Sequence, residues 1–428
     1  MATIRDSLEA LQLGGLALAQ IADDPRLGTP TYVYDLDAIA GEARELHHAF
    51  EGVRHAIAYA VKANSAGPIV RTLAREGCGA DVVSGAELSL ALACGIPPEH
   101  VVFSGVAKHD AEIDRAIFAG PHGIGAIQVE SIEEIARIEA RGAAGNRRVR
   151  VSIRVNPGVD EEALGTHRHI ATGHDEAKFG IACGDVPRAV ALAAASPHVS
   201  LVGITCHVGS QLTSVEPYVA AARVLFEVAA RATADARVRL EFVDPGGGFG
   251  IDYGAGCPVK PADFVRAVRA EQARAKLDGL ALHVEPGRAL VGAHGVLLAR
   301  ILQVKRAGDR RWLMIDAGMN DLLRPALYQA RHRIVPLLGP RSPAIPWRVV
   351  GPVCESSDDF GVHDLPAEPE GAVAILDAGA YGYTMASRYN GRAVPAEVFV
   401  RGGAIVAQVE RRRAEEWVEE RSQITERD

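Results

Sequence analysis

Four short stretches of this sequence bring together residue types that can do chemistry. In Ala58-Tyr59-Ala60-Val61-Lys62-Ala63-Asn64 a lysine directly follows an apolar run. In a barrel mouth such an amine loses hydration, its pKa falls, and it becomes a nucleophile. A surface lysine laying its stem along apolar neighbours has the same sequence. Asp244-Pro245-Gly246-Gly247-Gly248-Phe249-Gly250 is a glycine-rich loop whose main-chain N–H groups can close on a phosphate, since no side chain blocks the approach. A turn without ligand reads alike. The spacing is neither the G-x-x-x-x-G-K-[ST] nucleotide loop nor a dinucleotide fingerprint opening a first βαβ unit. Glu285-Pro286-Gly287-Arg288 offers a carboxylate able to keep a heterocyclic nitrogen protonated, beside an arginine suited to phosphate or carboxylate. An internal salt bridge is its plainer reading. His207-Val208-Gly209-Ser210-Gln211 supplies an imidazole that can stack on a flat ring or simply satisfy a core.

The elements that must position these residues alternate. Strand patterns fall at Ala56–Ala60, Ala80–Val83, Val101–Ser104, Ile124–Val129, Val149–Val155, Leu201–His207, Leu240–Val243 and Leu280–Val284. Between them lie helical patterns at Pro68–Glu76, Ala86–Ala93, Ala111–Phe118, Ile132–Ala140, Val186–Ala195, Val215–Ala232 and Ala262–Leu277. Ser131 and Glu134 have capping-box spacing. Strands alternating with helices imply right-handed βαβ units and a parallel sheet. Eight of them point to an α/β fold with a (β/α)8 TIM-like barrel; a doubly wound sheet has a similar rhythm. Lys62, Asn64, Ser84, His207, Ser210, Gly246–Gly248, Glu285 and Arg288 all fall just past strand ends, where barrel enzymes carry their chemistry. Beyond Ala289 the patterns change to β-like runs at Val296–Val304, Trp312–Ile315, Arg348–Val350, Val373–Leu376, Glu397–Val400 and Ile405–Val409. Residues 38–289 are expected as the barrel. Residues 1–37 with 290–428 are expected as a second, mainly antiparallel β domain, with Thr31–Tyr34 as one of its strands.

Composition narrows the classes. The chain has 428 residues, 48% hydrophobic and 23% charged, with a formal charge of −8, which describes a globular protein with large cores. No basic block appears outside Arg411–Arg413, so nucleic acid is not the expected partner. No apolar run is long enough for a membrane span, and Arg5, Asp6 and Glu9 stand where a secretory signal needs an apolar block. Six scattered cysteines without a C-x-x-C pair fit a reducing cytoplasm and give no metal site. The charged Glu410–Asp428 stretch is expected as a solvated helix or tail.

At this point the chain resembles the fold-type III (alanine racemase-like) pyridoxal-phosphate decarboxylases, from Gly28-Thr29-Pro30 to about Arg401. Within them it is most similar to the diaminopimelate decarboxylases. The motifs carrying that likeness are Ala80-Asp81-Val82-Val83-Ser84-Gly85-Ala86-Glu87, Lys178-Phe179-Gly180-Ile181, His207–Gln211, Arg324-Pro325-Ala326-Leu327-Tyr328, Gly351-Pro352-Val353-Cys354-Glu355 and Gly379-Ala380-Tyr381. The resemblance implies a homodimer that decarboxylates meso-2,6-diaminopimelate to L-lysine and CO2, the last step of lysine biosynthesis, with pyridoxal 5'-phosphate as cofactor.

The same resemblance implies roles for individual residues. Lys62 would carry the cofactor as a Schiff base, His207 would stack on its ring, and Glu285 would keep the ring nitrogen protonated. Asp81, Ser210, Gly246, Gly247, Gly248, Pro286, Gly287, Arg288 and Tyr381 would complete the cofactor site. Arg288, Arg324, Tyr328, Glu355 and Tyr381 would bind substrate. Cys354 would protonate the product carbon from the other subunit of the dimer. His109, and Arg388 in Ser387-Arg388-Tyr389-Asn390, depart from the family's usual residues. Two other readings stand beside this one. The first is a decarboxylase of a related or carrier-bound amino acid. The second is a non-catalytic regulatory homologue, which would be expected to have lost cofactor residues such as Lys62 and Glu285.

Overall fold

The computed structural model describes residues 6–7, 10–158, 177–234, 237–339 and 342–423. The chain divides into two compact units: residues 40–251 with 257–290, and residues 1–39 with 252–256 and 291–428. Arg5, Glu9 and the end of the charged tail lie outside the described residues.

The first unit is the expected barrel. Its strands, in chain order, are His55–Ala60, Gly79–Val82, Val101–Phe103, Ala126–Val129, Val149–Asn156, Val199–Cys206, Phe242–Asp244 and Ala281–Val284. Each pairs in parallel with its neighbour, and the eighth pairs with the first, so the ring closes. A short strand, Ile181–Ala182, adds to the fifth outside the ring. Closure leaves no unpaired edge. Strands two, three and four are buried at every residue, as a sheet covered on both faces requires. The register slips between Leu201 and Gly203 of the sixth strand, where a Cβ on Gly203 would sit 2.3 Å from the Phe242 ring.

The helices start where local chemistry dictates. Ser131 Oγ accepts from Glu134 N at 3.2 Å, so the expected cap forms. The Glu134 carboxylate reaches instead to the Glu130 N–H at 2.8 Å, so the reciprocal half of the box is absent. Ser84, expected among the reactive rim residues, caps Gly85–Ala93 by accepting from Glu87 N at 3.2 Å. A further helix, Leu36–Ala49, precedes the first barrel strand, and the Asp35 carboxylate accepts from Asp37 N and Ala38 N, both at 3.0 Å.

The second unit is built on a mainly antiparallel sheet. Its order is Asp359–Pro366, Ala344–Val350, Arg310–Ile315, Gly295–Ala307, Thr31–Asp35, Ala396–Arg401 and Ala404–Val409. Ala372–Ile375 pairs on Gly295–Ala307, and Ile334–Pro336 pairs on Ala372–Ile375. Two pairings are parallel: Thr31–Asp35 with Ala396–Arg401, and Arg310–Ile315 with Ala344–Val350. Gly295–Ala307 is buried in its first half and exposed in its second. Val33, Val296, Leu298, Val398 and Val400 form the core on one face with Leu18 and Ile21. No described helix is long and apolar enough to cross a membrane.

Candidate active site

The barrel's C-terminal rim gathers the expected polar residues. Lys62 lies in a single 3-10 turn (Val61–Ala63) directly after the first strand. Its amine donates to Asp81 Oδ2 on the second strand, and Ser104 after the third donates to Asp81 Oδ1. The Asp81 side chain is fully buried, whereas 38% of the Lys62 side chain is exposed. The amine is therefore not held by the apolar mouth expected from sequence. It is oriented by a buried carboxylate that a third strand fixes in turn.

The seventh and eighth strands supply the other half. Glu285 is buried, and its N–H meets Gly246 O at 3.2 Å. Gly247 runs parallel to Glu285, and a Cβ there would sit 1.9 Å from Glu285 O. Glycine is thus required for the loop to lie this close to the end of the eighth strand. Gly247 N–H donates to His207 Nδ1 at 3.3 Å, so a neutral His207 carries its proton on Nε2. Burial, with the positive charges of Arg154 and Lys62, holds His207 well below the usual imidazole range. Arg288, also buried, donates to Ser210 Oγ at 3.1 Å. Pro286 O accepts from Ala60 N at 3.0 Å, and a Cβ on Gly287 would meet that of Ala63 at 2.9 Å.

Two carboxyls of this rim stand outside its ion pairs. Lys62 pairs with Asp81, and Arg154 pairs with Glu130 at 2.9 Å. Asp244 and Glu285, both buried, make no ion pair with any described residue. Asp244 takes one hydrogen bond, from Gly246 N at 2.8 Å to Oδ1, and its Oδ2 has no partner. Burial pushes Asp244 up to about 7 and raises Glu285 well above the usual carboxylate range, with Asp244 and Asp81 adding to the shift at Glu285. A ligand bringing a protonated ring nitrogen to Glu285 would favour its ionised form. An amine-reactive carbonyl suits Lys62, and a phosphate suits the Ser210, Gly246–Gly248 and Arg288 group. These residues fit a pyridoxal phosphate cofactor.

The other expected residues lie in the second unit. Arg324 opens a short helix, Arg324–Tyr328, and is buried. His332 donates from Nδ1 to Leu376 O at 2.9 Å, which leaves Nε2 to accept from Arg324 Nη1 at 2.7 Å. The guanidinium also lies 4.6 Å from the centre of the Tyr253 ring. Tyr328 is half-buried. Cys354 and Glu355 are exposed in a loop anchored by Asp358, which accepts from Val353 N at 2.7 Å and Met319 N at 2.6 Å. Asn390 Oδ1 accepts from Cys354 N at 3.0 Å, and Tyr389 OH donates to Glu355 at 2.6 Å. The unusual Ser387–Asn390 segment thus holds both Cys354 and Glu355. Tyr381 adopts φ 55°, a left-handed conformation that costs energy for a residue with a side chain.

Several residues of these sites were not singled out from the sequence. Ser104, Gln128, Arg154 and Glu130 are buried polar side chains on or just after strands three to five. In the sequence Ser104 and Gln128 interrupt apolar runs, Glu130 directly follows one, and Arg154 lies in an alternating strand. That interruption was the available signal, since a closed barrel turns strand-end polar residues toward one rim.

Comparison with known proteins identifies the family. Residues 36–292 match the pyridoxal binding domain of the pyridoxal-dependent decarboxylases. The chain is 41% identical over 392 residues to the diaminopimelate decarboxylase of Pseudomonas fluorescens, covering 91% of each. Its structure resembles that of diaminopimelate decarboxylase from Helicobacter pylori complexed with L-lysine, with TM-score 0.85 and 36% identity over 92% of this chain and 98% of that one. The enzyme from M. jannaschii in co-complex with L-lysine gives TM-score 0.90 at 33% identity, over 99% and 97%. With its closed barrel, its lysine and carboxylate rim and these likenesses, the chain belongs to the diaminopimelate decarboxylase family of pyridoxal-dependent decarboxylases.

Proposed function

We propose that this protein decarboxylates meso-2,6-diaminopimelate to L-lysine and CO2, using pyridoxal 5'-phosphate. The observation that carries this is the rim's charge pattern: a lysine held by a buried carboxylate, and on the neighbouring eighth strand's end a second buried carboxylate that makes no ion pair among the described residues. When bound, the cofactor supplies an electron sink for the pair released with CO2.

The protein's own contributions are orientation and proton placement. Lys62 would hold the cofactor, with Asp81 and Ser104 aiming its amine. Glu285 would keep a proton at the ring nitrogen, and His207 would stack on the ring. Ser210, Gly246–Gly248, Pro286, Gly287 and Arg288 would hold the phosphate, and Tyr381 is proposed to join them. Arg288 and Arg324 suit the substrate's distant carboxylate, Glu355 its distant ammonium, and Tyr328 and Tyr381 the space between. Recognition of the far end decides which of two similar carbon centres reacts. Cys354 gives the final proton to the product carbon.

The proposed assembly is a cytoplasmic homodimer with shared sites. Exposure of Cys354, Glu355 and Tyr389 in one chain supports this, because side chains meant for chemistry need a partner surface to exclude water. The test is to incubate protein loaded with pyridoxal phosphate with separate meso-, LL- and DD-diaminopimelate, following lysine and CO2. Lysine from the meso isomer alone is expected. Turnover of a different amino acid in preference to it would favour the related decarboxylase reading.

A further inference from the structure

The fourth and eighth barrel strands lie four places apart in a ring of eight, so they face one another across it. Gln128 sits on the fourth strand, and Glu285 follows the eighth. The Gln128 side chain donates from Nε2 to Glu285 Oε1, so one hydrogen bond spans the barrel interior. Gln128 is 2% exposed and Glu285 7%. Thr205, on the sixth strand between them, places Oγ1 3.5 Å from Gln128 Oε1, a weak contact that favours the amide orientation just described. The main chain of Gln128 is held as well. Its carbonyl accepts from Lys108 Nζ at 2.8 Å, and buried Lys108 is itself paired with Glu134 at 2.9 Å. Glu285 Oε1 is thus committed to the protein, and no hydrogen bond to Oε2 is made among the described residues.

We infer that Gln128 is a positioning residue of the decarboxylation: its amide fixes the Glu285 carboxyl across the barrel and favours the ionised form, leaving the other oxygen for the cofactor's ring nitrogen. This rests on the reading that a pyridoxal cofactor is bound here. A hydrogen bond donated to a carboxylate stabilises its charge, and in a dry site that effect is large. It acts against the groups that oppose ionisation, namely burial and the charges of Asp244 and Asp81, and in the same direction as Lys62 and Arg154. Cys206 and Tyr218 also face this cluster, and burial keeps both protonated and uncharged. An amide suits the task because it donates without adding charge to an already acidic cluster. Without it the shared proton moves from ring nitrogen to carboxyl, and the ring becomes a poorer electron sink.

The experiment uses holoenzyme reconstituted with pyridoxal phosphate, comparing wild type with Gln128→Met and Gln128→Glu. Each is measured for cofactor stoichiometry, the absorption of the bound cofactor against pH, kcat and KM, and thermal midpoint. Gln128→Met keeps volume and loses the donor. It should bind a full complement of cofactor, show the absorption of an unprotonated ring, and lose kcat roughly tenfold or more, with KM within about twofold. In Gln128→Glu the introduced carboxyl can donate only when protonated, so activity and spectrum should return toward wild type as pH falls. Wild-type spectrum and kcat in Gln128→Met would overturn the inference. So would a wild-type pH profile in Gln128→Glu, or loss of fold in both variants, which would make Gln128 a packing residue. Failure of wild type to bind the cofactor would instead overturn the reading on which this rests.

Discussion

Lys62 and Asp81 form an ion pair between the ends of two neighbouring barrel strands, with the carboxylate fully buried and the amine partly open to solvent. Such a pair orients a nucleophile and leaves its outer face approachable. Borohydride reduction of the cofactor-loaded protein followed by peptide mapping should therefore place the label on Lys62. Lys108 is excluded physically: it is buried and donates to Gly105 O, Gln128 O and Glu134. A label on Lys108 or Lys178 would sink the assignment.

Glu285 gives the second expectation. Its carboxyl lies in a site that resists charge, so its ionisation depends on a positive partner. Glu285→Gln keeps shape and hydrogen bonding but cannot hold a proton on the ring nitrogen. The variant should retain cofactor and lose turnover by on the order of 100-fold, the scale of removing one preorganised electrostatic contact. If turnover survives, the residue serves packing alone.

The barrel was legible in the sequence because its physics is repetitive. All eight strands fall within two residues of their expected bounds, since short β-prone runs alternate there with helical patterns. The helix Leu36–Ala49 was not legible, because its Asp35 cap terminates a strand that reads as apolar. Asp359–Pro366 was missed for another reason: Gly361, His363 and Asp364 break its alternation, although His363 is buried and its ring bonds Phe360 O at 2.9 Å. At the site, residues named by motif stood out. Gln128 did not, because its importance lies in a contact 157 residues away in the chain. The eightfold repeat implies that strands four and eight face each other, but not which of their side chains meet across the ring.

Glu397 makes the second unit's stability depend on pH. It is buried, accepts from Tyr34 OH at 3.2 Å, and is pushed up to about 7 by burial. A carboxyl whose folded pKa is raised binds its proton more tightly when folded, so it favours folding below the unfolded value. That contribution is lost as pH rises through the folded value. Between about pH 4.5 and 7 the loss should reach at most on the order of 3 kcal/mol. Urea denaturation of the cofactor-free protein across that range should show a shallower decline for Glu397→Gln than for wild type. Equal slopes would show that Glu397 does not set the dependence.

The last expectation concerns Cys354, exposed in the second unit, and Lys62, on the barrel rim. If each site is completed across a twofold interface, the contact is reciprocal and both sites of a dimer are built alike. Lys62→Ala and Cys354→Ser homodimers should then each be severely impaired. Mixed in equal amounts with free exchange, about half the dimers contain one of each chain. In such a dimer one site carries both defects and the other carries neither, so activity should recover to about a quarter of wild type. Sites assembled within one chain predict no recovery, because every site then keeps one defect. Mass spectrometry must first show that the chains exchange. If they do and activity stays flat, the shared-site assembly is wrong for this protein, and Cys354 must reach its substrate from the same chain as Lys62.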